Sequence, residues 1–360
     1  MRKLELCLWE LTLKCTLNCL HCGSAAGRAR SRELTLEECF AVAGDIVRLG
    51  CEEITFIGGE VFLYPGWQKL ARYFSDSGLL VNIMTNAYRI GEKEIEEIRG
   101  AGLANVGISL DGMEKNHNRI RGRADAFDRV RKAFDLLNGA GIRIGVITSL
   151  MEFNYRDLEP LYRLLAENRV EIWQLQLVNP MGNMAGKRDL IMDPRRIPRI
   201  TEFVREKNKD RRMVVVAADS IGYFDENEPY IRGRRNPVCY WEGCQAGLTG
   251  LALDSAGNVK GCGALYDDRF IEGNVRERPL SDIWNDPAAF AYNRSFDPDL
   301  LAGRCRGCDA GDVCRGGCRA SNYFTTGDLY ENAFCRRPRA ARSRRSPELG
   351  RGGSHEIQDR

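Results

Sequence analysis

The alternation of strand-like and helix-like segments between residues 4 and 178 constrains the fold more than any other feature of the sequence. Short runs rich in Leu, Ile and Val alternate there with amphipathic segments six times. This pattern is typical of parallel strands joined by helical crossovers. A closed barrel of eight strand–helix units needs roughly 250 residues. Six units therefore predict an α/β fold, an open and partial (β/α)6 barrel of the TIM type, over residues 1–212.

The fourteen cysteines form two groups, which predicts a second domain. Six lie in residues 7–51, none in 52–238 and eight in 239–335. The N-terminus lacks a long apolar export signal, so this many cysteines indicates metal ligation rather than disulfides. We therefore expect a bridging region at 213–236, a small Cys-rich iron–sulfur domain at 237–338 and a disordered basic tail at 339–360.

Charge and hydropathy exclude two classes of partner. The net charge is only +3, from 53 basic and 50 acidic residues, so no overall attraction to nucleic acid is expected. No apolar run approaches the roughly 18–20 residues that cross a bilayer. The basic run at 336–342 is interpreted as a solvated tail. A cytoplasmic location is expected.

The N-terminal group contains Cys15, Cys19 and Cys22, separated by gaps of three and two residues. A short loop with this spacing can offer thiolates to three of the four irons of a cubane cluster. The fourth iron then has no protein ligand, and chemistry requires such an open coordination position. A zinc site or buried free thiols are the alternatives. They fit poorly, because the only other Cys or His nearby is His21, adjacent to Cys22.

This cysteine loop, which follows the first strand, resembles the signature of radical S-adenosylmethionine (SAM) enzymes. The resemblance implies that Cys15, Cys19 and Cys22 are catalytic and hold a [4Fe-4S] cluster whose open iron chelates SAM. An electron from the cluster would split the sulfonium and release a 5′-deoxyadenosyl radical. The resemblance also implies a partial barrel, with His21 lying against the adenine.

Other residues at predicted strand ends resemble the SAM-binding motifs of that family. Gly58-Gly59-Glu60 would hold the SAM amino group, although Val61 stands where proline is usual. Ser109 and Arg121 would bind the carboxylate and ribose. Asn179 is a weaker candidate, as is Asn86. The predicted cofactor-binding residues are His21, Gly58, Gly59, Glu60, Asn86, Ser109 and Arg121.

The eight C-terminal cysteines could supply two cubane clusters with four ligands each, or a zinc module. Their spacing resembles the SPASM extension of radical SAM proteins, which implies two auxiliary [4Fe-4S] clusters and three clusters in total. By that resemblance Cys239, Cys244, Cys262 and Cys318 hold the inner auxiliary cluster. Cys305, Cys308, Cys314 and Cys335 hold the outer one.

The resemblance implies hydrogen abstraction from a peptide or protein, as in crosslinking, thioether-forming, splicing or decarboxylating maturases. The segments at 9–12 and 24–28 look closest to that branch. Radical SAM enzymes of tetrapyrrole or other small-molecule biosynthesis are the alternative, and an iron–sulfur electron carrier or zinc module is the non-enzymatic one. Only fourteen residues precede Cys15, so a separate leader-peptide recognition protein is expected. The family implies a flavodoxin- or ferredoxin-type electron donor.

Overall fold

The computed structural model describes residues 2–223, 225–232 and 240–337. Cys239 and the predicted tail at 339–360 lie outside the described residues. Nowhere in the described ranges does a helix combine the length and the apolar character that a bilayer crossing requires.

Seven strands alternate with helices over the first 217 residues. Every strand and helix predicted there is present, and one further helix, α4, was not predicted. The strands are β1 (Leu6–Thr12), β2 (Glu53–Gly58), β3 (Leu80–Thr85), β4 (Asn105–Ser109), β5 (Ile144–Leu150), β6 (Ile172–Leu177) and β7 (Val214–Ala217). The α-helices are α1 (Leu36–Arg48), α2 (Trp67–Asp76), α3 (Glu92–Ala101), α4 (Glu114–Arg121), α5 (Ala126–Gly139), α6 (Leu158–Glu167) and α7 (Ile197–Asn208).

The C-terminal part adds three short strands and five short helices to the described chain. They are β8 (Gly250–Leu253), β9 (Asn258–Lys260), β10 (Gly273–Asn274), α8 (Glu228–Ile231), α9 (Leu280–Asn285), α10 (Ala291–Arg294), α11 (Gly311–Cys314) and α12 (Arg319–Thr326).

One sheet runs through both parts, in the order β10-β9-β8-β1-β2-β3-β4-β5-β6-β7. Strands β1 to β7 are parallel and lie in chain order, which confirms the predicted open α/β barrel. Strand β8 pairs in parallel with β1, and β9 and β10 continue from it antiparallel. The Cys-rich region thus extends the barrel sheet from the free edge of β1.

The outer face of β1 shows how the helices are held to the sheet. Cys7, Trp9 and Leu11 alternate along the strand and are buried. The Trp9 ring lies 6.3 Å from Phe56 on β2 and 6.4 Å from Phe74 on α2, both edge to face. Burying each such side chain contributes about 2–3 kcal/mol. The other face of β1 is therefore left to line the barrel interior.

Glu10, on that inner face, anchors the C-terminal part to the barrel. Its Oε1 atom accepts hydrogen bonds from the Ser255 hydroxyl at 3.1 Å and from Arg30 Nη2 at 3.0 Å. Arg30 follows the cysteine loop, whereas Ser255 follows β8. A single buried carboxylate therefore links the cysteine loop, the barrel and the C-terminal region.

A second link starts at Thr35, whose spacing to Glu38 in the sequence predicts a capping box at the start of α1. Its hydroxyl accepts from the Glu38 N–H at 3.2 Å, and the Glu38 carboxylate accepts from the Thr35 N–H at 2.8 Å, which confirms the capping box. Arg276, beyond β10, donates to both Glu38 carboxylate oxygens. These hydrogen bonds lower the pKa of Glu38 to about 2.

Candidate active site

The cysteine loop is closed at its base by backbone hydrogen bonds. Cys15 N donates to Gly27 O at 3.1 Å, and Gly27 N donates to Leu13 O at 2.9 Å. Midway along the loop, Leu20 N donates to Ile120 O on α4 at 2.8 Å. The loop therefore has a defined conformation built from its own backbone and from α4.

The segment after β6 closes over the other side of the loop. Asn183 N donates to Cys22 O at 2.9 Å, and Asn183 Nδ2 donates to Cys19 O at 2.9 Å. Gly182 has φ +53°, and a Cβ there would lie 2.4 Å from Cys22 O. Only glycine allows so close an approach. Segments that are distant in the sequence therefore hold the loop in place.

Gly58 and Gly59 let β2 continue alongside the start of the loop. Gly59 N donates to Thr12 O at 2.8 Å, and Glu60 N donates to Lys14 O at 2.9 Å. A Cβ on Gly58, whose φ is +151°, would lie 2.3 Å from Thr12 O, and one on Gly59 would lie 2.3 Å from Lys14 O. The packing of β2 against the start of the cysteine loop thus depends on both glycines, and the predicted contact of this motif with SAM stays a prediction.

Each of the three sulfurs in the loop accepts at least one hydrogen bond from an N–H group. Hydrogen bonds to sulfur are among the features that set the potential of an iron–sulfur cluster. The donor–sulfur distances lie between 3.3 and 3.6 Å. Cys15 accepts from Leu17 N and Asn86 Nδ2, Cys19 from Arg121 Nη1, and Cys22 from Ala26 N.

Without metal, burial favours the protonated form of Cys15 and Cys19. Burial raises the pKa of Cys15 to about 11. Burial also raises the pKa of Cys19, against the opposing effect of the Arg121 guanidinium. Iron binding must therefore displace protons. Three soft donors on one loop, with N–H groups already aimed at their sulfurs, fit a [4Fe-4S] cluster.

Asp111, which the sequence analysis did not identify, is the centre of the charge network behind this loop. Its Oδ2 atom accepts from Arg121 Nη2 at 2.6 Å and from His21 Nε2 at 2.9 Å, while Oδ1 accepts from Ser149 N at 3.0 Å. Burial alone would raise the pKa of Asp111, but Arg121 and His21 hold it below its ordinary value. The sequence feature that could have identified Asp111 is a charged residue in the turn at 110–112, which follows an apolar strand.

Arg121 lies in the last turn of α4, not in a surface loop. It is buried, and its Nε atom has no hydrogen-bond partner among the described residues. Asp111 and burial act on its pKa in opposite directions, and the result is a raised value that keeps the guanidinium charged. Its predicted contact with the SAM carboxylate stays a prediction. The Nε donor is free for such a ligand.

Glu60 is fully buried, and its carboxylate is occupied by protein contacts. It accepts from Thr85 Oγ1 at 2.8 Å and from Asn86 N at 3.1 Å. Burial raises its pKa to about 7 against these hydrogen bonds. The carboxylate therefore supports the backbone that positions Asn86. Its predicted contact with the SAM amino group stays a prediction.

Two further residues at strand ends have polar atoms that make no hydrogen bond within the described ranges and could therefore bind a ligand. The Ser109 hydroxyl, at the end of β4, makes no hydrogen bond within the described ranges. The Oδ1 atom of Asn179, after β6, is buried and likewise lacks a partner there. The predicted residues therefore converge at the carboxyl edge of the sheet, where parallel α/β sheets bind ligands.

The described C-terminal cysteines are free thiols, and they influence one another electrostatically in two groups. In one group, burial raises the pKa of Cys262 to about 12 and raises the pKa of Cys318 well above its ordinary value, and Cys244 raises both further. In the other, burial raises the pKa of Cys314 to about 12, and its neighbours are the thiols at 305, 308 and 335. This grouping coincides with the interlocked ligand sets implied by the SPASM resemblance, which stay a prediction.

The segment that carries Cys262 packs against the inner face of the barrel. Gly263, next to Cys262, approaches the first two strands: a Cβ there would lie 2.7 Å from Leu8 Cδ2 and 3.6 Å from Ile57 Cδ1. Cys262 therefore lies beside the inner faces of β1 and β2. Of the second group, Cys314 is the last residue of α11, and Cys305 and Cys308 precede that helix.

Two protein-family models match the chain. The Radical SAM superfamily model matches residues 9–165, and the SPASM iron–sulfur cluster-binding domain model matches residues 244–309. The first range contains the cysteine loop with its surrounding strand ends. The second contains four of the eight C-terminal cysteines, at 244, 262, 305 and 308.

Curated relatives and solved structures agree with these matches. An AdoMet-dependent heme synthase of Methanosarcina barkeri is 28% identical over 342 residues, covering 92% of this chain and 96% of the relative. Mycofactocin maturase MftC of Mycolicibacterium smegmatis is 26% identical over 324 residues, covering 89% and 79%. Streptococcus suis SuiB bound to S-adenosylmethionine shares the fold with a TM-score of 0.73 at 18% identity, covering 93% and 78%. The chain belongs to the radical SAM superfamily and is an enzyme with a C-terminal SPASM iron–sulfur cluster-binding domain.

Proposed function

We propose that the enzyme uses SAM to abstract a hydrogen atom from a peptide or protein substrate. When bound, a [4Fe-4S] cluster and SAM together supply one-electron cleavage of the sulfonium, and so a 5′-deoxyadenosyl radical. Cys15, Cys19 and Cys22 would hold that cluster. The chain's own contribution is to bind, orient and shield the reacting groups.

The residues around the loop have distinct roles in this proposal. Arg121 and Asn86 direct N–H groups at cysteine sulfurs, which stabilises thiolate charge. His21 is held by Asp111 at 2.9 Å, so its ring has a fixed orientation beside Cys22. Ser109 leaves an uncommitted hydroxyl for a ligand. These contacts support the predicted SAM-binding role of each residue.

The chemistry of the barrel interior supports a peptide substrate. Strands β1 to β7 contain no Lys, Arg or His. On β6, Trp173 and Leu175 are buried on the helix side, which leaves Gln174 and Gln176 on the inner face. Gln176 Nε2 donates to Ser149 Oγ at 3.0 Å. Carboxamides and hydroxyls complement peptide N–H and C=O groups, whereas a polycarboxylate ligand needs cationic partners.

A tetrapyrrole substrate is the second candidate. The heme synthase relative is matched over 96% of its length, against 79% for the mycofactocin maturase. Overall chain organisation therefore favours the tetrapyrrole alternative, while the absence of Lys, Arg and His from strands β1 to β7 favours the peptide.

The two candidates can be separated with the anaerobically reconstituted enzyme, SAM and a low-potential reductant. One set of reactions would contain synthetic peptides from short reading frames beside the gene, and the other iron coproporphyrin III. We expect a mass change in a peptide, with 5′-deoxyadenosine formed in proportion. Turnover of the porphyrin with every peptide unchanged would establish the tetrapyrrole function instead.

We also propose three [4Fe-4S] clusters, a flavodoxin- or ferredoxin-type electron donor, a separate leader-peptide recognition protein and a cytoplasmic location. Three cubanes predict about twelve irons per chain. The structure of SuiB with its precursor peptide SuiA has the same fold, which supports a peptide ligand for this architecture. Recovery of a leader peptide by this chain alone would contradict the separate recognition protein.

A further inference from the structure

An arginine side chain lies along the short segment that joins the two predicted auxiliary ligand sets. This segment runs from Cys314 of the outer set to Cys318 of the inner set. Arg319, the first residue of α12, folds back over it. Its Nη1 atom donates to Arg315 O and, at 3.2 Å, to Leu329 O. The guanidinium therefore lies beside the backbone that carries a predicted ligand of each set.

The rest of this guanidinium has unused hydrogen-bond donors. Arg319 is fully buried, and its Nε and Nη2 atoms have no hydrogen-bond partner within the described ranges. Its Nη1 contacts are neutral carbonyl groups, so no carboxylate that the structure describes binds this arginine. The rings of Tyr330 and Phe296 lie 4.4 and 5.6 Å from its central carbon and compensate only part of its charge. Because arginine stays protonated in proteins, a buried cation with free donors requires an anionic acceptor.

A second arginine of the same domain, Arg294 on α10, shows the opposite arrangement. Its Nε atom donates to Gly247 O at 2.7 Å, Nη1 to Asp286 O at 3.1 Å and Nη2 to Trp284 O at 2.9 Å. Its central carbon also lies over an aromatic ring, 4.9 Å from that of Trp284. The two arginines thus share aromatic and carbonyl neighbours, but only Arg319 has nitrogen atoms without an acceptor.

An iron–sulfur cluster is an acceptor of the required kind. The domain match at 244–309 assigns cluster binding to this part of the chain. A cubane with four thiolate ligands is negatively charged, and hydrogen bonds to its sulfurs help to set its reduction potential. We propose that Arg319 is a positioning residue whose free N–H groups donate to sulfurs of the bound auxiliary clusters, and whose charge raises the reduction potential of both. The inference rests on the proposed auxiliary clusters and is independent of the substrate.

The test is a redox titration, monitored by electron paramagnetic resonance, of the reconstituted full chain. Cys15, Cys19 and Cys22 are replaced by Ala in every sample, so that only the auxiliary clusters contribute. Arg319→Gln removes the charge. At a fixed solution potential it should lower the ratio of reduced to oxidised cluster about tenfold, which corresponds to a potential lower by about 59 mV. Arg319→Lys should restore most of the ratio, and Arg294→Gln, the matched control, should leave it unchanged.

Each other outcome has a defined meaning. Unchanged potentials in Arg319→Gln, or a fall that Arg319→Lys does not reverse, would overturn the inference and leave the clusters in place. A fall confined to one cluster would overturn the shared role. Loss of the auxiliary iron from Arg319→Gln but not from Arg319→Lys would support the need for charge, whereas loss from both would show a purely structural role. About four irons in the wild type, instead of about twelve, would overturn the auxiliary clusters and this inference together.

Discussion

The two groups of cysteines solve the same electrostatic problem in different ways. Around the N-terminal loop, the protein itself supplies N–H donors, among them the guanidinium of Arg121, to each sulfur. Around the C-terminal thiols, the donors are backbone N–H groups: Ala264 N donates to Cys262 and Asn332 N to Cys305, each at 3.4 Å. The N-terminal sulfurs therefore receive side-chain donors, one of them charged, whereas these C-terminal sulfurs receive neutral backbone donors.

This contrast matches the chemistry expected at each site. An iron with an open position must receive a ligand, so polar groups such as Ser109 and Arg121 Nε remain available beside the loop. Fully ligated auxiliary clusters need no such groups. Unpartnered buried polar atoms also lie near the C-terminal thiols, on Tyr292 and Arg319, so the side-chain donors aimed at the sulfurs, rather than free polar atoms, distinguish the two sites.

The largest expected effect separates the two groups by activity. Replacing Cys15, Cys19 and Cys22 together by Ala should abolish 5′-deoxyadenosine formation and remove about a third of about twelve irons. We would measure iron, sulfide and 5′-deoxyadenosine after anaerobic reconstitution. Cys39→Ala is the control, because Cys39 is buried on α1 and contacts Tyr64. It should keep both iron and activity.

The reciprocal variant sharpens the comparison. Replacing Cys305, Cys308 and Cys314 by Ala should also remove about a third of the iron. SAM cleavage should persist, because these thiols are remote from the N-terminal loop. Equal loss of 5′-deoxyadenosine in both triple variants would show that the two sites are not functionally separate.

Asp111→Asn tests the charge network of the N-terminal site. The change leaves Arg121 buried without its carboxylate partner, which should lower the free energy of unfolding by about 3–5 kcal/mol. SAM affinity, measured by calorimetry, should fall as well. Asp76→Asn is the control, since it breaks an exposed pair with Arg72 whose N–O distance is 2.8 Å. A surface pair contributes about 0–1 kcal/mol, so similar losses in the two variants would contradict the prediction.

Gly59→Ala tests the backbone contact between β2 and the cysteine loop. The new Cβ would meet Lys14 O at 2.3 Å, so strands or loop must separate, at a cost of about 1–3 kcal/mol. Thermal unfolding and SAM affinity would both be measured. Gly27→Ala, in the same loop, has no atom within 4 Å of its Cβ position and should unfold like the wild type. Normal SAM binding by Gly59→Ala would argue against this contact as a SAM-binding element.

The smallest expected effect is a pH dependence that comes from Glu60. Its pKa is about 7 in the folded protein and 4.5 ordinarily. The folded state therefore keeps a proton that the unfolded state has lost, and stability falls as the pH rises from about 4.5 to about 7. Glu60→Gln should lack this component, so its stability relative to the wild type should rise by about 1 kcal/mol between pH 6 and pH 8. Parallel stability–pH curves for the two proteins would contradict it.

The sequence was sufficient for features that depend on neighbouring residues. Strand and helix periodicity predicted the parallel open sheet, and the spacing of Thr35 and Glu38 predicted a capping box that the structure contains. The spacing of Cys15, Cys19 and Cys22 predicted a loop able to surround one cluster. Each of these is a short-range pattern, set by 2.0- or 3.6-residue periods or by the span of one loop.

Helix α4 was not predicted, because its eight residues are mostly polar and too few of them are apolar to show a helical period. Arg121 was predicted to bind SAM, but its burial beside Asp111 had no signal in the sequence. Likewise, Glu60 was predicted to bind SAM, and only the tertiary structure shows that Thr85 and Asn86 contact its buried carboxylate. Local propensity does not report burial, which is set by the elements that pack around a residue.

By itself, then, the sequence determined the order of elements, the ligand-bearing loops and the family resemblance, because these are written in consecutive residues. The tertiary structure alone decided the partners: His21 with Asp111 across 90 positions, and Glu10 with Ser255 across 245. It also decided that β8 lies beside β1. Such pairings depend on how distant segments share one buried volume, which no short-range pattern encodes.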